Sequence, residues 1–317
     1  MMDAIGGYFE LELRHGVHYH KDAICLNSAR NCFEYILSAR KYRKVYIPYY
    51  TCEVMLQPLQ KLHVDYEFYH IGENLEPLEI RQLKNGEAYL YTNYFGLKQS
   101  CVEKLASIYK TRLIVDNAQA IYATRINGID TFYSPRKFFG VSDGGFLYTD
   151  CLLKKDFPLD KSYDRMKHLL IRIDENAEVG YSIFRQADDS LDNQPIRLMS
   201  KLTKRILENV DYIAACKKRR DNFLFLHEKL GGKNILHIDW DEDSVPMVYP
   251  FYSNNPELRQ HLIERKIFIA RYWPNVLEWC NPCDEEYLLC QHVLPIPVDQ
   301  RYDIVDMEQI VRLIGQI

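Results

Sequence analysis

The sequence feature that most restricts the fold is an alternation of strand-like runs with helix-like runs through the first half of the chain. The strand-like runs, rich in Val, Ile, Tyr and Phe, are 44–50, 64–69, 88–94, 112–116, 129–133 and 145–149. Between them lie helix-like runs at 28–41, 52–61 and 101–110. Parallel strands need crossover connections, which are usually helices. This alternation therefore predicts a mostly parallel sheet in a layered α/β domain.

The second half of the chain has a different pattern. A long helical stretch is predicted over 196–231, and Gly231-Gly232 breaks it. Beyond this break, the predicted strands are 247–253, 267–272 and 292–298, and the predicted helices are 256–266 and 304–317. We therefore expect a large domain over 1–228 and a small C-terminal α+β domain over 229–317.

Composition restricts the class of partner. The 317 residues carry 40 Lys+Arg and 44 Asp+Glu, a formal net charge of −4, so neither nucleic acid nor an anionic membrane is an expected partner. No apolar run reaches the roughly 18–20 residues of a membrane helix. The segment Met1–Leu13 contains Asp3, Glu10 and Glu12 and lacks the apolar core of a secretory signal. The nine scattered cysteines then indicate reduced thiols, and we expect a cytoplasmic protein.

Two short polar segments lie at the ends of predicted elements, where α/β sheets bind ligands. The segment Asn27-Ser28-Ala29-Arg30 begins a predicted helix, whose free N–H groups and dipole favour a phosphate. Taken alone, this segment favours the alternative that Asn27 and Ser28 only cap the helix, because such caps are common. Asp116 ends a predicted strand, where a partly desolvated carboxylate needs a cationic partner. It too could be an N-cap.

Lys137 comes shortly after the predicted strand 129–133, beside two phenylalanines and ahead of Gly144-Gly145. Desolvation lowers the pKa of an amine in such surroundings and makes it a nucleophile able to form a Schiff base. The alternative is an ordinary surface lysine. A phosphate site, a carboxylate at a strand end and a lysine after the next strand are together what pyridoxal phosphate requires. They would anchor the phosphate, keep the pyridine nitrogen protonated and carry the cofactor.

Two runs carry a family resemblance: VDNAQA at 115–120 and GIDTFYSPRKFFGVSDGGFLYTD at 128–150. They resemble the fold-type-I aminotransferases of the DegT/DnrJ/EryC1/StrS family. Further matches, in family order, are LNSARNCFEYIL (26–37), VYIPYYTCEVML (45–56), TNYFG (92–96), IRLMS (196–200) and the tail segments 258–274 and 292–311. The resemblance implies a homodimeric pyridoxal phosphate enzyme with a seven-stranded mixed sheet and a small C-terminal domain. Such an enzyme would move an amino group, with glutamate as donor, to a keto acceptor such as a nucleotide-linked keto sugar.

The resemblance also assigns roles to individual residues. Lys137 would carry the cofactor as an internal aldimine and move the proton at the substrate's α carbon. Asp116 would pair with the pyridinium nitrogen, and Gln119 would contact the 3-hydroxyl of the ring. The phosphate would be held by a hydroxyl and two backbone amides, from Ser134, Ser28 and Ala29.

The chain departs from the family beside the cofactor ring. Cys52 stands where many relatives have a Trp or Phe that stacks on the ring, so Tyr50 or Tyr94 would stack instead. The resemblance further suggests contacts with the substrate or with a second subunit from Arg30, Tyr49, Tyr94 and Arg197. These departures concern the substrate more than the cofactor.

Three other interpretations stay open. Ser134-x-x-Lys137 fits the serine acyl-enzyme motif, but the S-D-N and K-T-G elements of that class are absent. A protein of the same fold could have a different or lost reaction; the family's sugar dehydratases, however, carry His where this chain has Lys137. A metal module could use Cys280, Cys283, Cys290 and His292. Their spacing is not standard and buried free thiols are common, so we expect no metal.

Overall fold

A seven-stranded sheet forms the centre of the first half of the chain. The computed structural model describes residues 5–237 and 239–316. The strands are β1 (Ile24–Leu26), β2 (Lys44–Pro48), β3 (Asp65–Tyr69), β4 (Glu87–Thr92), β5 (Leu113–Asn117), β6 (Asp130–Tyr133) and β7 (Gly145–Tyr148). Their order across the sheet is β1-β7-β6-β5-β4-β2-β3, and β7 runs antiparallel to both of its neighbours. The predicted mixed, mostly parallel α/β sheet is confirmed.

Helices cover this sheet, and every residue of β4 and β5 is buried. Buried strands of this kind read as apolar or aromatic runs, because both of their faces pack against helices. One cluster of buried side chains joins Phe33 of α1 (Ala29–Arg40) to Ile114 of β5. In the other cluster Tyr69, Tyr89 and Tyr109 stack with ring centroids 4.5 Å apart. Many of the 24 tyrosines are therefore core residues.

The remaining helices of the first half are α2 (Leu56–Lys61) and α3 (Gln99–Tyr109). The second half contains α4 (Lys167–Asp174), α5 (Ala177–Asp189), α6 (Lys201–Leu207), α7 (Tyr212–Leu230), β8 (Val248–Tyr252), α8 (Leu258–Glu264), α9 (Val276–Trp279), α10 (Glu285–His292), β9 (Val293–Pro297) and α11 (Ile304–Ile314). Strands β8 and β9 pair antiparallel in a separate two-stranded sheet. The domain boundary between 228 and 229 stays a prediction. Among the described residues, no helix is long and apolar enough to cross a membrane.

The predicted helix over 196–231 is wrong in its first part. Residues 196–200 are not helical, and Leu198 pairs with two other segments through isolated bridges. The helical part is divided into α6 and α7, each with its own N-cap: Ser200 accepts the N–H of Thr203, and Asp211 accepts the N–H of Ala214. Capping side chains of this kind start a new helix where a chain changes direction.

The predicted strand over 267–272 is also wrong. Its backbone has no strand partner, and the guanidinium of Arg259 donates hydrogen bonds to the carbonyls of Ile269 and Ala270. A side chain thus satisfies polar groups that a neighbouring strand would otherwise satisfy. The sequence pattern also missed β1, which has three residues, and the helix pair α4 and α5.

Candidate active site

Asp116 lies near the carboxyl end of β5, between β4 and β6, and its side chain is buried at 6% exposure. Its Oδ1 accepts the N–H of Ala118 at 2.8 Å. No basic side chain of the described residues forms an ion pair with it. Burial raises the pKa of Asp116, while the positive charge of Lys137 and the hydrogen bond from Ala118 lower it in part. The site therefore contains a buried carboxylate that still needs a cation.

Gln119 follows β5 by two residues and is fully buried. Its Oε1 accepts the backbone N–H of Phe95 at 2.9 Å, which determines the orientation of the side-chain amide. The Nε2 group is buried and has no hydrogen-bond partner. An unpaired buried donor costs about 1–3 kcal/mol, so it indicates an acceptor on a bound molecule.

Lys137 ends a 3₁₀ turn, Pro135–Lys137, that follows the neighbouring strand β6. Its charge lowers the pKa of both Asp116 and Cys52, so the three side chains lie in one region. The side chain of Lys137 is exposed, which contradicts the expected desolvation. The adjacent Phe138 and Phe139 pack into the core and leave the amine at the surface.

Trp273 comes from the second half of the chain and was missed by the sequence analysis. The Nζ atom of Lys137 lies 5.8 Å from the centroid of the Trp273 ring. Trp273 also packs edge-on against Tyr50, with centroids 5.1 Å apart. The only local signal was a Trp-Pro pair after an aromatic residue, and such a signal does not place a side chain beside a lysine 136 positions earlier.

The start of α1 packs against the glycine pair that follows Lys137. Ser28 is the N-cap: its hydroxyl accepts the N–H of Asn31 and donates to Asn31 Oδ1, so the predicted helix start is confirmed. The phosphate-binding role of this segment stays a prediction. The N–H of Gly144 donates to the carbonyl of Asn27 at 2.7 Å. A Cβ atom on Gly145 would lie 2.5 Å from the carbonyl oxygen of Ser28. The glycine pair thus lets β7 approach the first turn of α1, which includes the partly buried Ala29.

The remaining predicted cofactor contacts border this region. Ser134 is buried immediately before the lysine turn, and no hydrogen bond joins it to Lys137 within the described residues. Cys52 is partly buried; burial raises the pKa of its thiol, and the charges of Lys137 and Arg30 lower it. Tyr50 is buried, and its carbonyl accepts the phenolic O–H of Tyr94 at 2.9 Å. Which side chain would stack on a cofactor ring stays a prediction.

The predicted substrate residues are engaged within the chain. Arg30 forms an ion pair with Asp192, and Arg197 Nη1 lies 3.1 Å from Asp160 Oδ1. The ring of Tyr49 stacks on another aromatic ring, that of Phe68, at 4.6 Å. Tyr94 is fully buried. Their contacts with a substrate or a second subunit stay predictions.

The structure gives the cysteines and histidine near 280–292 other partners. The Sγ atom of Cys290 donates to the carbonyl of Trp273 at 3.1 Å, and His292 Nδ1 lies 3.2 Å from the carbonyl of Ser253. Cys283 is exposed. Across residues 5–237 and 239–316, no group of three or more His, Cys, Asp or Glu side chains is arranged to hold a metal ion.

No model of a protein family and no curated protein sequence matches the chain. Solved structures of the same fold do match. The sugar aminotransferase CalS13 from Micromonospora echinospora has a TM-score of 0.65 at 16% identity, over 94% of this chain and 88% of its own. NtdA from Bacillus subtilis, solved with bound cofactor PMP, has a TM-score of 0.65 at 14% identity, over 93% of this chain and 72% of its own.

A third similar structure is that of ColD, a GDP-4-keto-6-deoxymannose-3-dehydratase solved with bound GDP-perosamine. It has a TM-score of 0.63 at 16% identity, over 92% of this chain and 88% of its own. At such identities, the likeness establishes the fold that these proteins share with this chain. The predicted fold-type-I architecture is confirmed.

Proposed function

We propose that the protein is a pyridoxal phosphate-dependent aminotransferase of the DegT/DnrJ/EryC1/StrS family. It takes an amino group from an amino acid, with glutamate as donor, and passes it to a nucleotide-linked keto sugar. The observation that carries the proposal is the pair formed by Asp116 and Lys137. Asp116 is a buried acid that forms no ion pair with a basic side chain of the described residues. Lys137 is an exposed amine whose positive charge lowers the pKa of Asp116 in part.

The side chains present fit pyridoxal phosphate. The Asp116 carboxylate is the anion that a protonated pyridine nitrogen needs, and that nitrogen is the cation that Asp116 lacks. The unpaired Nε2 of Gln119 can donate to the 3-hydroxyl oxygen of the ring. When bound, pyridoxal phosphate supplies an electron sink for the charge that develops at the substrate's α carbon.

The phosphate group of the cofactor would bind to the start of α1 and to Ser134. A helix N-terminus attracts an anion through its dipole and its free N–H groups. The Ser28 hydroxyl already caps α1, so backbone N–H groups of the first turn, including that of Ala29, are the better donors. Ser134 supplies a hydroxyl just ahead of the lysine turn.

Lys137 carries the proton transfers in this proposal. Its amine would hold the cofactor between turnovers and, once the substrate's amine has taken its place, would be free to act as a base at the α carbon. Lys137 removes the α proton of the donor and returns a proton on the path to the keto acid. In the second half of the cycle it moves a proton in the opposite direction. The ring of Trp273 lies beside this amine, with its centroid 5.8 Å from Nζ.

The nature of the acceptor rests on the resemblance and on the similar structures. CalS13 is a sugar aminotransferase, and ColD, of the same fold, is solved with a GDP-linked sugar. ColD also supports a second candidate, a sugar dehydratase. Lys137 favours transamination, because the dehydratases of the family carry His at this position.

The test uses the full-length protein loaded with pyridoxal phosphate. Borohydride reduction followed by mass spectrometry should find the cofactor on Lys137. Glutamate should then give one equivalent of 2-oxoglutarate, and a screen of nucleotide-linked keto sugars should return an amino sugar. Lys137→Ala should bind cofactor without the covalent link and give no product.

Normal turnover by Lys137→Ala, or no cofactor binding by the wild type, would overturn the proposal. Loss of water from a keto sugar without amine transfer would favour the dehydratase. Light scattering on the purified protein tests the proposed homodimer, because a monomer that turns over at the full rate contradicts it.

A further inference from the structure

A buried arginine lies behind the lysine turn. Arg219 of α7 is 1% exposed, and no carboxylate of the described residues forms an ion pair with it. Its Nε donates to Gln300 Oε1 at 3.0 Å, and its Nη1 donates to the carbonyls of Met247 at 3.0 Å and Pro246 at 3.4 Å. Burial lowers the pKa of Arg219 to about 10. Burial of a guanidinium without a carboxylate partner costs free energy of folding, and an apolar side chain could fill the same space without this cost.

One hydrogen bond of this guanidinium reaches the lysine turn directly. Arg219 Nη2 donates to the carbonyl of Phe138 at 3.3 Å, and its Cζ lies 4.5 Å from the centroid of the Phe138 ring. Gln300 Nε2 donates to the same carbonyl at 2.8 Å. The N–H of Phe138 closes the turn on the carbonyl of Pro135 at 3.0 Å. Two side chains from the second half therefore fix the residue next to Lys137.

A further run of hydrogen bonds joins the same guanidinium to Gln119. The carbonyl of Met247 accepts from Arg219, and its N–H donates to the carbonyl of Phe95 at 2.8 Å. The N–H of Phe95 then donates to Gln119 Oε1 at 2.9 Å. Arg219 is thus linked by hydrogen bonds both to the Gln119 amide and to the turn that carries Lys137.

We propose that Arg219 is a positioning residue that holds Lys137 and Gln119 at the spacing required for one bound cofactor. Gln300 supports it at the Phe138 carbonyl. This inference rests on the proposed function, because it concerns how the cofactor is held. Arg219 is buried behind the turn and would act through Phe138 and Met247.

The test compares four variants with the wild type: Arg219→Met, Arg219→Lys, Gln300→Leu and a control. Arg219→Met keeps an unbranched apolar chain and removes the donors. Gln300→Leu removes the second donor to the Phe138 carbonyl. It tests the same contact if Arg219→Met fails to fold. The matched control is Arg112→Met: Arg112 also donates to two carbonyls, of Leu83 and Lys84, but it precedes β5 at the end away from Asp116.

Three readouts separate positioning from stability. They are the pyridoxal phosphate dissociation constant, the fraction of Lys137 that borohydride traps with cofactor, and hydrogen exchange of the 135–139 backbone. In Arg219→Met, we expect the dissociation constant for pyridoxal phosphate to rise about tenfold, because a tenfold change corresponds to the free energy of about one charged hydrogen bond. The trapped fraction should fall and the turn should exchange faster. Gln300→Leu should change all three in the same direction by less, and Arg219→Lys should restore part of the loss.

Equal values for Arg219→Met and the wild type would overturn the inference, as would equal changes in Arg219→Met and Arg112→Met. Either result leaves the proposed function intact, because the wild type still binds cofactor on Lys137. A wild type that binds no cofactor overturns both.

Discussion

Asp116 and Lys137 lie at the ends of adjacent strands and act on each other through their charges without forming an ion pair. Asp116 is near the end of β5, and Lys137 ends the turn that follows β6. The charge of Lys137 lowers the pKa of Asp116, yet no salt bridge joins them in the described part of the chain. A flat aromatic cation between the two would neutralise the acid and present its aldehyde to the amine.

Asp116→Asn should separate stability from function. Burial raises the pKa of Asp116 in the folded chain, so its charged form disfavours folding at neutral pH. This penalty is absent below the pKa of the unfolded chain, roughly 3.9, and grows as the pH rises toward the folded pKa. Asparagine keeps the acceptor for Ala118. The cofactor-free variant should therefore melt higher at pH 7, by roughly 2 °C for each kcal/mol gained.

The same variant should lose activity by about two orders of magnitude, the scale for removing one preorganised charge from a site. Calorimetry of the cofactor-free protein and the rate of amine transfer check the two halves of this prediction. A variant with a lower melting temperature and the full rate would contradict both.

Gln119→Glu tests the unpaired amide. Glutamate keeps an oxygen for the N–H of Phe95 and replaces the buried Nε2 donor by a second oxygen. Pyridoxal phosphate affinity should fall at least about tenfold at pH 7.5. The variant loses one donor, and its new carboxylate oxygen would face the 3-hydroxyl oxygen of the cofactor ring. Fluorescence titration measures the affinity. Lower pH should restore part of it in this variant, since a protonated carboxyl can donate. Unchanged affinity at pH 7.5 would show that Nε2 does not contact the cofactor.

Gly145→Ala tests the close approach of β7 to α1. The added Cβ would lie 2.5 Å from the carbonyl oxygen of Ser28, so the first turn of α1 must shift. We expect a loss of about 1–3 kcal/mol in the free energy of unfolding and weaker binding of pyridoxal phosphate. Gly232→Ala is the control, because nothing lies within 4 Å of a Cβ there. Urea unfolding and cofactor titration of both variants decide the point, and equal behaviour would refute it.

Acid should destabilise the fold through His20. Its Nε2 donates to the carbonyl of Ile121 at 2.8 Å, and its Nδ1 then accepts from the hydroxyl of Tyr148 at 3.2 Å. Burial lowers the pKa of His20 to about 4. The unfolded chain therefore binds the proton first. The stability from neutral His20 is complete above about pH 6.5 and is lost as the pH falls toward 4.

The slope from this one residue is at most about 1.4 kcal/mol per pH unit. Urea unfolding at pH 7.5, 6 and 5 measures it. His20→Gln, whose amide can both donate and accept, should have a smaller slope over this range. An identical slope in the variant would assign the effect to other groups.

The sheet was predictable because its signals are local. Val45 and Ile47 lie in a short buried run, and Ser28 caps the helix that precedes it, so each element can be identified from its own residues. The run at 267–272 has similar residues and forms no strand. Two of its carbonyls accept hydrogen bonds from Arg259, and a side chain that satisfies backbone groups in this way leaves no periodic pattern in the sequence.

Only those residues of the candidate site that lie at strand ends could be predicted from the sequence. Asp116 lies near the end of β5 and Lys137 follows β6, the next strand, and the family resemblance assigns a role to both. The position of Trp273 beside the amine and the exposure of Lys137 itself depend on how the two halves of the chain pack. The pairing of Arg30 with Asp192 is equally long-range. Spacing along a single sequence carries no information about such contacts.

The two donors to the Phe138 carbonyl have a consequence for biosynthesis. One of them, Gln300, is 162 positions further along the chain. A ribosome must therefore translate residue 300 before the turn at Lys137 can receive this hydrogen bond. A product that terminates before residue 300 would contain the residues of all seven strands of the central sheet and would lack this donor to the Phe138 carbonyl. Support of the lysine turn by Gln300 is thus completed in synthesis only after every strand of the central sheet has been made.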